Sequence, residues 1–458
     1  DLMSQKPTFD YDYIVIGSGA GGSPAASILA SAGKKVAVVE KSTFGGESPN
    51  WGDVPTGFLT HALNVYQTAK DAAKFGLRTK LIGYNYPSLL SWKDKVIKRT
   101  GAGGNRYYYE KQGISVFAGN AYFLSPNEIA VNRRHLSARK FLIASGSDWQ
   151  IPEIPGLSAV SYYTPKTIFS LKRPPKTMFI VGAGATALEL AHIFSTLGTK
   201  VYVAEKSSRI LSTFDPEVST LVANDAKNRN ISILARTKII AIQKSSIQKR
   251  VTFLQGRIEK SVRVDEILIA DQQLPATDLG LENAGVKYTE NGILVNSSLQ
   301  TSARHIFAAG NVTNANIQTH TALAQSRIAA HNLLHNNKVK FNNFPHLQVA
   351  FTQPEIAQIG MNEYDCKMKG ISAKIATVPL TTTVRSNITD QRIGFVKLIV
   401  DKKQVVIGGT IVGPHASDIA AELALAVRHK ITSEELASTP HCFTSWSEAV
   451  RIAAGKLL

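Results

Sequence analysis

Apolar and polar residues alternate in the same way in two stretches of this chain. In the first, Asp12-Tyr13-Ile14-Val15-Ile16 is a short run dominated by strand formers. Gly17-Ser18-Gly19-Ala20-Gly21-Gly22 follows without a spacer, a helix is expected as far as Ala32, and a second strand covers 36–40, ending on Glu40. In the second, the apolar run Met178-Phe179-Ile180-Val181 leads into Gly182-Ala183-Gly184-Ala185-Thr186-Ala187. A helix is expected to Leu197, and a strand over 200–205 ends on Glu205. Short apolar runs bounded by glycines read as buried strands, and the longer 3.6-residue repeats read as helices. The same reasoning predicts a helix over 58–75 and a strand over 264–270.

A GxGxxG run between a strand and a helix is a dinucleotide-binding arrangement. Gly17 permits the tight turn, Gly19 lets the backbone approach a pyrophosphate, and Gly22 lets the helix pack on the strand. The helix N-terminus then faces the phosphates, and Glu40 is placed to accept ribose hydroxyls. Gly182, Gly184 and Ala187 repeat the spacing, with Ala in the third position. Glu205 at the second strand's end favours NADH over NADPH, because a carboxylate repels a 2′-phosphate. Lys206 and Arg209 nearby work against that preference. Two such units in one chain fit a hydride transfer between two cofactors held in one crevice.

Composition narrows the reading. A length of 458 residues suggests about three domains. The mean hydropathy is near zero, and no apolar run is long enough to span a bilayer. No secretory signal pattern opens the chain. Since residue 1 is Asp, the natural start is expected to lie upstream. Two cysteines, Cys366 and Cys442, cannot form a disulfide framework, so a reducing, cytoplasmic setting is expected. The formal charge of +18 fits an acidic partner, a nucleic acid or a membrane surface, or simply a solvated basic surface. No nucleic-acid module accompanies the basic residues, so nucleic-acid binding is not expected.

The segment Gly45-Gly46-Glu47-Ser48-Pro49-Asn50-Trp51-Gly52-Asp53-Val54-Pro55-Thr56-Gly57 resembles the active-site helix of the class I flavoprotein disulfide reductases (pyridine nucleotide-disulfide oxidoreductases), which reads roughly GGTCxNxGCxPSK. The resemblance continues through Gly113 to Gly119, Phe141 to Ser147, Ile154-Pro155-Gly156, Ile306 to Val312, Gln318 to Ala322, and 345–458. Mercuric reductase, dihydrolipoamide dehydrogenase and soluble transhydrogenase look most similar. It implies an α/β fold with two Rossmann-like domains, for FAD and NAD(P), and a C-terminal α+β dimerisation domain. The implied boundaries are 1–150 and 276–340 for FAD, 151–275 for NAD(P)H, and 341–458 for a homodimer interface. The implied FAD contacts are Gly17, Gly19, Gly22, Glu40, Lys41, Gly46, Gly119, Ala121, Ser145, Gly146, Gly310, Asn311, Gln318, Thr319 and His320. Those to NADH or NADPH are Gly182, Gly184, Ala187, Glu189 and Glu205. No metal site is expected.

The departures fall at the expected catalytic centre. Ser48 and Asp53 stand at the two cysteine positions, and Gly57 replaces a lysine. Gln272 and Gln273 replace a glycine and an arginine, and Asn311 replaces the aspartate that holds the ribityl hydroxyls. In the tail, Phe443 stands at the catalytic histidine's position, with His441 two residues before it and Glu448 five after. Disulfide exchange requires a thiolate and a proton manager, so the family's relay is not expected here. The expected activity is that of an FAD-dependent NAD(P)H oxidoreductase passing electrons directly to a small acceptor. The alternatives are a redox-silent or regulatory FAD-binding dimer and an electron-transfer partner of an acidic carrier. Ser48, Asp53, His441 and Glu448 are the catalytic candidates. For Ser48 and Asp53, capping of a helix start is an equal alternative.

Overall fold

The computed structural model describes residues 8–80, 83–100, 105–341 and 345–458. The chain divides into two compact units, Asp1–Phe58 with Pro87–Gln150 and Gln272–Asn342, and Leu59–Tyr86 with Ile151–Asp271 and Asn343–Leu458.

In the first unit, five strands lie parallel in the order Ser115–Ala118, Val36–Glu40, Tyr11–Ile16, Arg134–Ile143, Ile306–Ala308. The hairpin strands Ala121–Ser125 and Glu128–Val131 extend the sheet antiparallel from the first half of Arg134–Ile143. Parallel strands are covered on both faces and therefore carry unbroken apolar runs. Ile14 and Val15 are accordingly fully buried, as are Phe141 and Leu142. Ser23–Ser31 is the first crossover helix, packed against Thr319–Leu334.

The second unit contains the other parallel sheet, ordered Ile231–Leu234, Lys200–Ala204, Thr177–Val181, Glu266–Ile269. It also holds an antiparallel meander, Thr237–Ser245, Gln248–Gln255, Ile258–Val264. Its five-stranded antiparallel sheet runs Leu347–Ala350, Glu355–Gly360, Val406–Gly413, Phe395–Val400, Lys374–Pro379. Helices Ala416–Arg428 and Glu448–Gly455 cover that sheet around a core including Leu398, Leu423 and Val450. The whole is the mixed α/β fold expected from the sequence.

Two elements differ from expectation by more than one residue. The helix expected over 58–75 begins five residues earlier, as Asp53–Asp71, and closes with a 3₁₀ turn, Ala72–Phe75. An acid in the first turn favours the helix dipole, so Asp53 starts the helix before its apolar repeat begins. The strand expected over 264–270 is broken, because Val264 ends the meander while Glu266–Ile269 joins the parallel sheet. Between them, Asp265 Oδ2 accepts from the Thr177 N–H at 2.9 Å.

His192, in the helix Ala185–Thr196, accepts the Gln353 N–H at Nδ1, 2.9 Å away. Burial, with the Arg229 guanidinium adding to it, pushes the imidazole down to about 3. The folded state therefore refuses a proton that the unfolded chain takes up near pH 6.5. Stability from this group is complete above that pH and is lost as the pH falls toward 3, at up to about 1.4 kcal/mol per pH unit. Urea midpoints measured between pH 7.5 and 5 should fall less steeply in His192→Asn than in the wild type; equal slopes would refute this.

Among the described residues, no helix is long and apolar enough to cross a membrane. Nor is any group of three or more His, Cys, Asp or Glu placed to hold a metal ion.

Candidate functional site

In the first glycine turn, Gly17 and Gly22 have no room for a side chain. A Cβ on Gly17 would lie 2.1 Å from the Ala144 carbonyl oxygen, and Gly17 has φ +102°. A Cβ on Gly22 would lie 2.0 Å from the Gly17 oxygen, and one on Gly46 would lie 2.7 Å from Gly19 Cα. Glu40, 7% exposed, ends its strand beside this turn. Its Oε2 accepts from the Ser18 N–H and hydroxyl at 3.0 and 2.7 Å, and its Oε1 from the Ser42 N–H at 2.8 Å. A carboxylate has about four acceptor positions, so capacity for ribose hydroxyls remains. Bare backbone where a pyrophosphate would pass, and a carboxylate at the adjoining strand end, fit the dinucleotide that the sequence implies.

Ser18 is a site residue that sequence reasoning overlooked. Its hydroxyl also accepts from the Gly45 N–H at 3.1 Å, and its carbonyl accepts from the Tyr109 hydroxyl at 3.1 Å. The available signal was a hydroxyl between two motif glycines, 22 residues before a strand-ending carboxylate.

The remaining expected FAD residues are distributed around this sheet. Lys41 pairs with Asp148 at 2.8 Å. Gly119, φ +147°, backs onto the Asn132 amide. The Ala121 side chain lies in the apolar core, so only its backbone is available to a ligand. Ser145 Oγ donates to the Ala276 carbonyl at 2.8 Å, and the Gly146 carbonyl accepts from the Ala276 N–H at 2.9 Å. The Gly310 N–H donates to Gln325 Oε1 at 2.8 Å, an anchor not anticipated from sequence. Asn311 Nδ2 donates to the Ala315 carbonyl at 3.1 Å. Gln318, extended, precedes Thr319–Leu334, on whose first turn Thr319 is half-buried and His320 exposed.

Ser48 and Asp53 are brought together. The Ser48 hydroxyl donates to Asp53 Oδ2 at 2.8 Å. The intervening turn is held by Asn50 Nδ2, which donates to the Phe44 and Gly46 carbonyls at 2.9 and 2.7 Å. Gly57 is exposed, with open space around its Cα.

In the second glycine turn, a Cβ on Gly182 would lie 2.4 Å from the Ala270 carbonyl oxygen, whereas one on Gly184 would meet nothing within 4 Å among the described residues. Ala187 is fully buried. Glu205 Oε1 accepts from the Ser207 N–H and hydroxyl, each at 2.7 Å. Lys206 pairs with Asp271 at 3.1 Å, and Arg209 donates to the Phe214 and Ser212 carbonyls at 2.7 and 2.8 Å. Glu189 accepts from the Phe351 N–H at 2.8 Å.

The tail candidates are not paired with each other. His441 Nε2 lies 2.6 Å from Glu422 Oε1, and its Nδ1 lies 2.9 Å from the Thr439 carbonyl. Glu448 Oε1 accepts weakly from Arg451 at 3.4 Å, while its buried Oε2 has no hydrogen-bond partner among the described residues. Phe443 is 73% exposed. Cys366 is buried and Cys442 exposed, and both are free thiols.

Comparison with known proteins identifies the family of this fold. The family described as "Pyridine nucleotide-disulphide oxidoreductase" matches residues 11–326, and its dimerisation domain matches residues 347–454. The chain is 31% identical to the mercuric reductase of Staphylococcus aureus over 97% of its own length and 82% of that protein's. It is 32% identical to the dihydrolipoyl dehydrogenase of Thermus scotoductus, covering 98% and 97% of the two chains. Among solved structures, a cysteine-to-serine mutant of the HOCl-induced flavoprotein disulfide reductase RclA from Escherichia coli, in a Cu(II) complex, superposes with a TM-score of 0.86 at 25% identity. The match covers 98% of this chain and 99% of that one. This chain belongs to the pyridine nucleotide-disulphide oxidoreductase family.

Proposed function

We propose that this protein is an FAD-dependent NAD(P)H oxidoreductase that delivers electrons directly to a small acceptor, such as a quinone, a dye, oxygen or a second nicotinamide, without a disulfide relay. The observation that carries the proposal is the chemistry of the pair at positions 48 and 53, a hydroxyl 2.8 Å from a carboxylate with no sulfur in either. Where the family resemblance expects two redox thiols, this chain holds a hydroxyl and a carboxylate. Such a pair can move a proton, but it cannot form the sulfur–sulfur bond on which thiol exchange depends.

Bound FAD supplies the two-electron chemistry between nicotinamide and acceptor. Gly17, Gly19, Gly22 and Gly46 admit its pyrophosphate, Glu40 takes the ribose, and the 310–311 turn with the helix start at Thr319 lies toward the flavin end. The second glycine turn takes the nicotinamide nucleotide. Asp53 accepts or returns the proton that accompanies reduction of the acceptor, through the Ser48 hydroxyl. His441 is engaged by Glu422, and His441 and Glu448 act in packing. Segments 1–150 and 276–340 form the FAD domain, 151–275 the NAD(P)H domain, and 341–458 the interface of a homodimer.

NADH is the proposed donor. Glu205 presents its carboxylate at the strand end, while Lys206 and Arg209 are already engaged by other groups. Charged hydrogen bonds contribute about 1.5–3 kcal/mol, so Glu205→Ala should weaken NADH binding about tenfold or more and narrow the preference over NADPH. Fluorescence titration with each nucleotide measures both effects; an unchanged ratio of affinities would remove Glu205 from the selection.

The deciding test is an anaerobic titration of FAD-loaded protein with NADH and then NADPH, followed in the visible spectrum. Bleaching without a long-wavelength thiolate-to-flavin band is expected. Bound flavin that neither nucleotide reduces would overturn the enzyme reading in favour of a redox-silent FAD-binding dimer. If turnover with the acceptor also falls steeply with salt, the +18 charge serves an acidic protein carrier.

A further inference from the structure

Four side chains from separate parts of the sequence form one directed line. Asn311 Nδ2 lies 3.3 Å from Ser147 Oγ. Ser147 Oγ donates to Gln273 Oε1 at 2.7 Å. Gln273 Nε2 then faces both oxygens of Glu47 at 3.3 and 3.4 Å. A carboxylate accepts only, so Gln273 must turn its amide hydrogens toward Glu47 and its oxygen toward Ser147. Ser147 spends its single hydrogen on that oxygen and accepts from Asn311. Asn311 Nδ2 also reaches Gln273 Oε1 at 3.4 Å and the Ala315 carbonyl at 3.1 Å. Its amide orientation is thereby fixed, and Oδ1 is the atom it presents to a ligand.

Both ends of the line hang from the first glycine turn. Gly46, next to Glu47, has its backbone against Gly19, and Gly310, next to Asn311, lies beside Gly21, whose Cα a Cβ on Gly310 would touch at 3.5 Å. Hydrogen bonds aligned head to tail polarise one another, so the charge of Glu47 is felt along the line as far as Asn311.

We propose that Glu47 is the anionic residue that recognises the hydroxyl-bearing ribityl linker of bound FAD, positioned by Gln273 and Ser147, while Asn311 contributes a neutral acceptor. The negative charge that the family resemblance expects at position 311 is supplied from position 47. This inference rests on the FAD reading above.

The test is FAD affinity and flavin midpoint potential in four proteins: wild type, Glu47→Gln, Asn311→Asp and the double variant. Glu47→Gln should lower FAD affinity about 10- to 100-fold, the range for a lost charged hydrogen bond. It should also raise the midpoint potential, since an anion that opposes electron addition is gone. Asn311→Asp alone should bind FAD at least about threefold more weakly, because a second carboxylate enters the same line. The double variant should return to within about threefold of wild type in affinity; a merely structural role for Glu47 would show no such recovery. Glu47→Gln with unchanged affinity and potential, or a double variant no better than the weaker single one, would overturn the inference while leaving the FAD reading intact. A wild-type protein that takes up no FAD would overturn both.

Discussion

Lys397→Met is expected to destabilise the second unit by about 3–5 kcal/mol, the range for removing one partner from a buried ionic group. Lys397 lies within the wholly buried strand Phe395–Val400, its side chain 1% exposed. Its ammonium meets Asp215 at 3.3 Å, Glu217 at 2.8 Å and Glu363 at 2.5 Å. Burial alone would lower the pKa of this amine, but the hydrogen bonds it donates to Glu217 and Glu363 and the charge of Asp215 hold it above the ordinary lysine range. A raised pKa stabilises the fold at every pH below the ordinary lysine value, and that stability fades only as pH rises through the folded value. The charge is therefore fully present at neutral pH. Methionine fills the stem's volume but leaves Asp215, 2% exposed, without its cation. The Thr410 hydroxyl, which donates to Asp215 at 2.8 Å, is neutral and does not replace that cation. Hydrogen exchange in the strands Phe395–Val400 and Val406–Gly413 should quicken accordingly. Lys397→Met/Asp215→Asn should recover part of the loss, since the stranded charge is then gone. A Lys397→Met protein within about 1 kcal/mol of wild type would show that the cluster is solvated in the folded state.

The features legible in the sequence were those set by local spacing. Gly17, Gly19 and Gly22 announce their turn by their spacing between a strand and a helix, although only Gly22 answers an obstacle a few residues away, the Gly17 oxygen, while Gly17 answers the distant Ala144; the strands beside them are apolar because both faces are covered. The start of the helix at Asp53 was less legible, because the apolar repeat begins only downstream while the acid that initiates it carries no periodicity. Contacts across long separations were not legible at all. Gln273 and Glu47 lie 226 positions apart, and nothing in either neighbourhood specifies the other. Gln273 could be flagged only as a departure from a resemblance, without its role. The same limit applies to His441, whose neighbours gave no sign that Glu422, 19 positions earlier on helix Ala416–Arg428, would take its imidazole. Ser48 and Asp53 are an intermediate case. Their five-residue separation fits either a helix start or a reacting pair, and the 2.8 Å bond between them is compatible with both.

Gly22→Ala and Gly184→Ala change the same motif by one methyl group each, and their expected effects differ in kind. At Gly22 the new Cβ would stand 2.0 Å from the Gly17 carbonyl oxygen and 3.0 Å from Val15 Cγ1. Neither obstacle is the free end of a flexible side chain, so helix Ser23–Ser31 must move off its strand. Overpacking commonly costs about 1–3 kcal/mol, and a clash against backbone belongs at or beyond the top of that range. Stability of the first unit and FAD retention should fall together. At Gly184 the backbone has an ordinary φ of −75°, and a Cβ meets nothing within 4 Å among the described residues. The protein should therefore fold with unchanged stability. The empty space is the approach a pyrophosphate needs, however, so a methyl group there should weaken NADH binding about tenfold or more while FAD is retained. Thermal melts, flavin content and NADH titration of the two variants separate these outcomes. Unimpaired NADH binding in Gly184→Ala would mean that the second glycine turn does not carry the nucleotide, and the proposed path of electrons would lose its entry point.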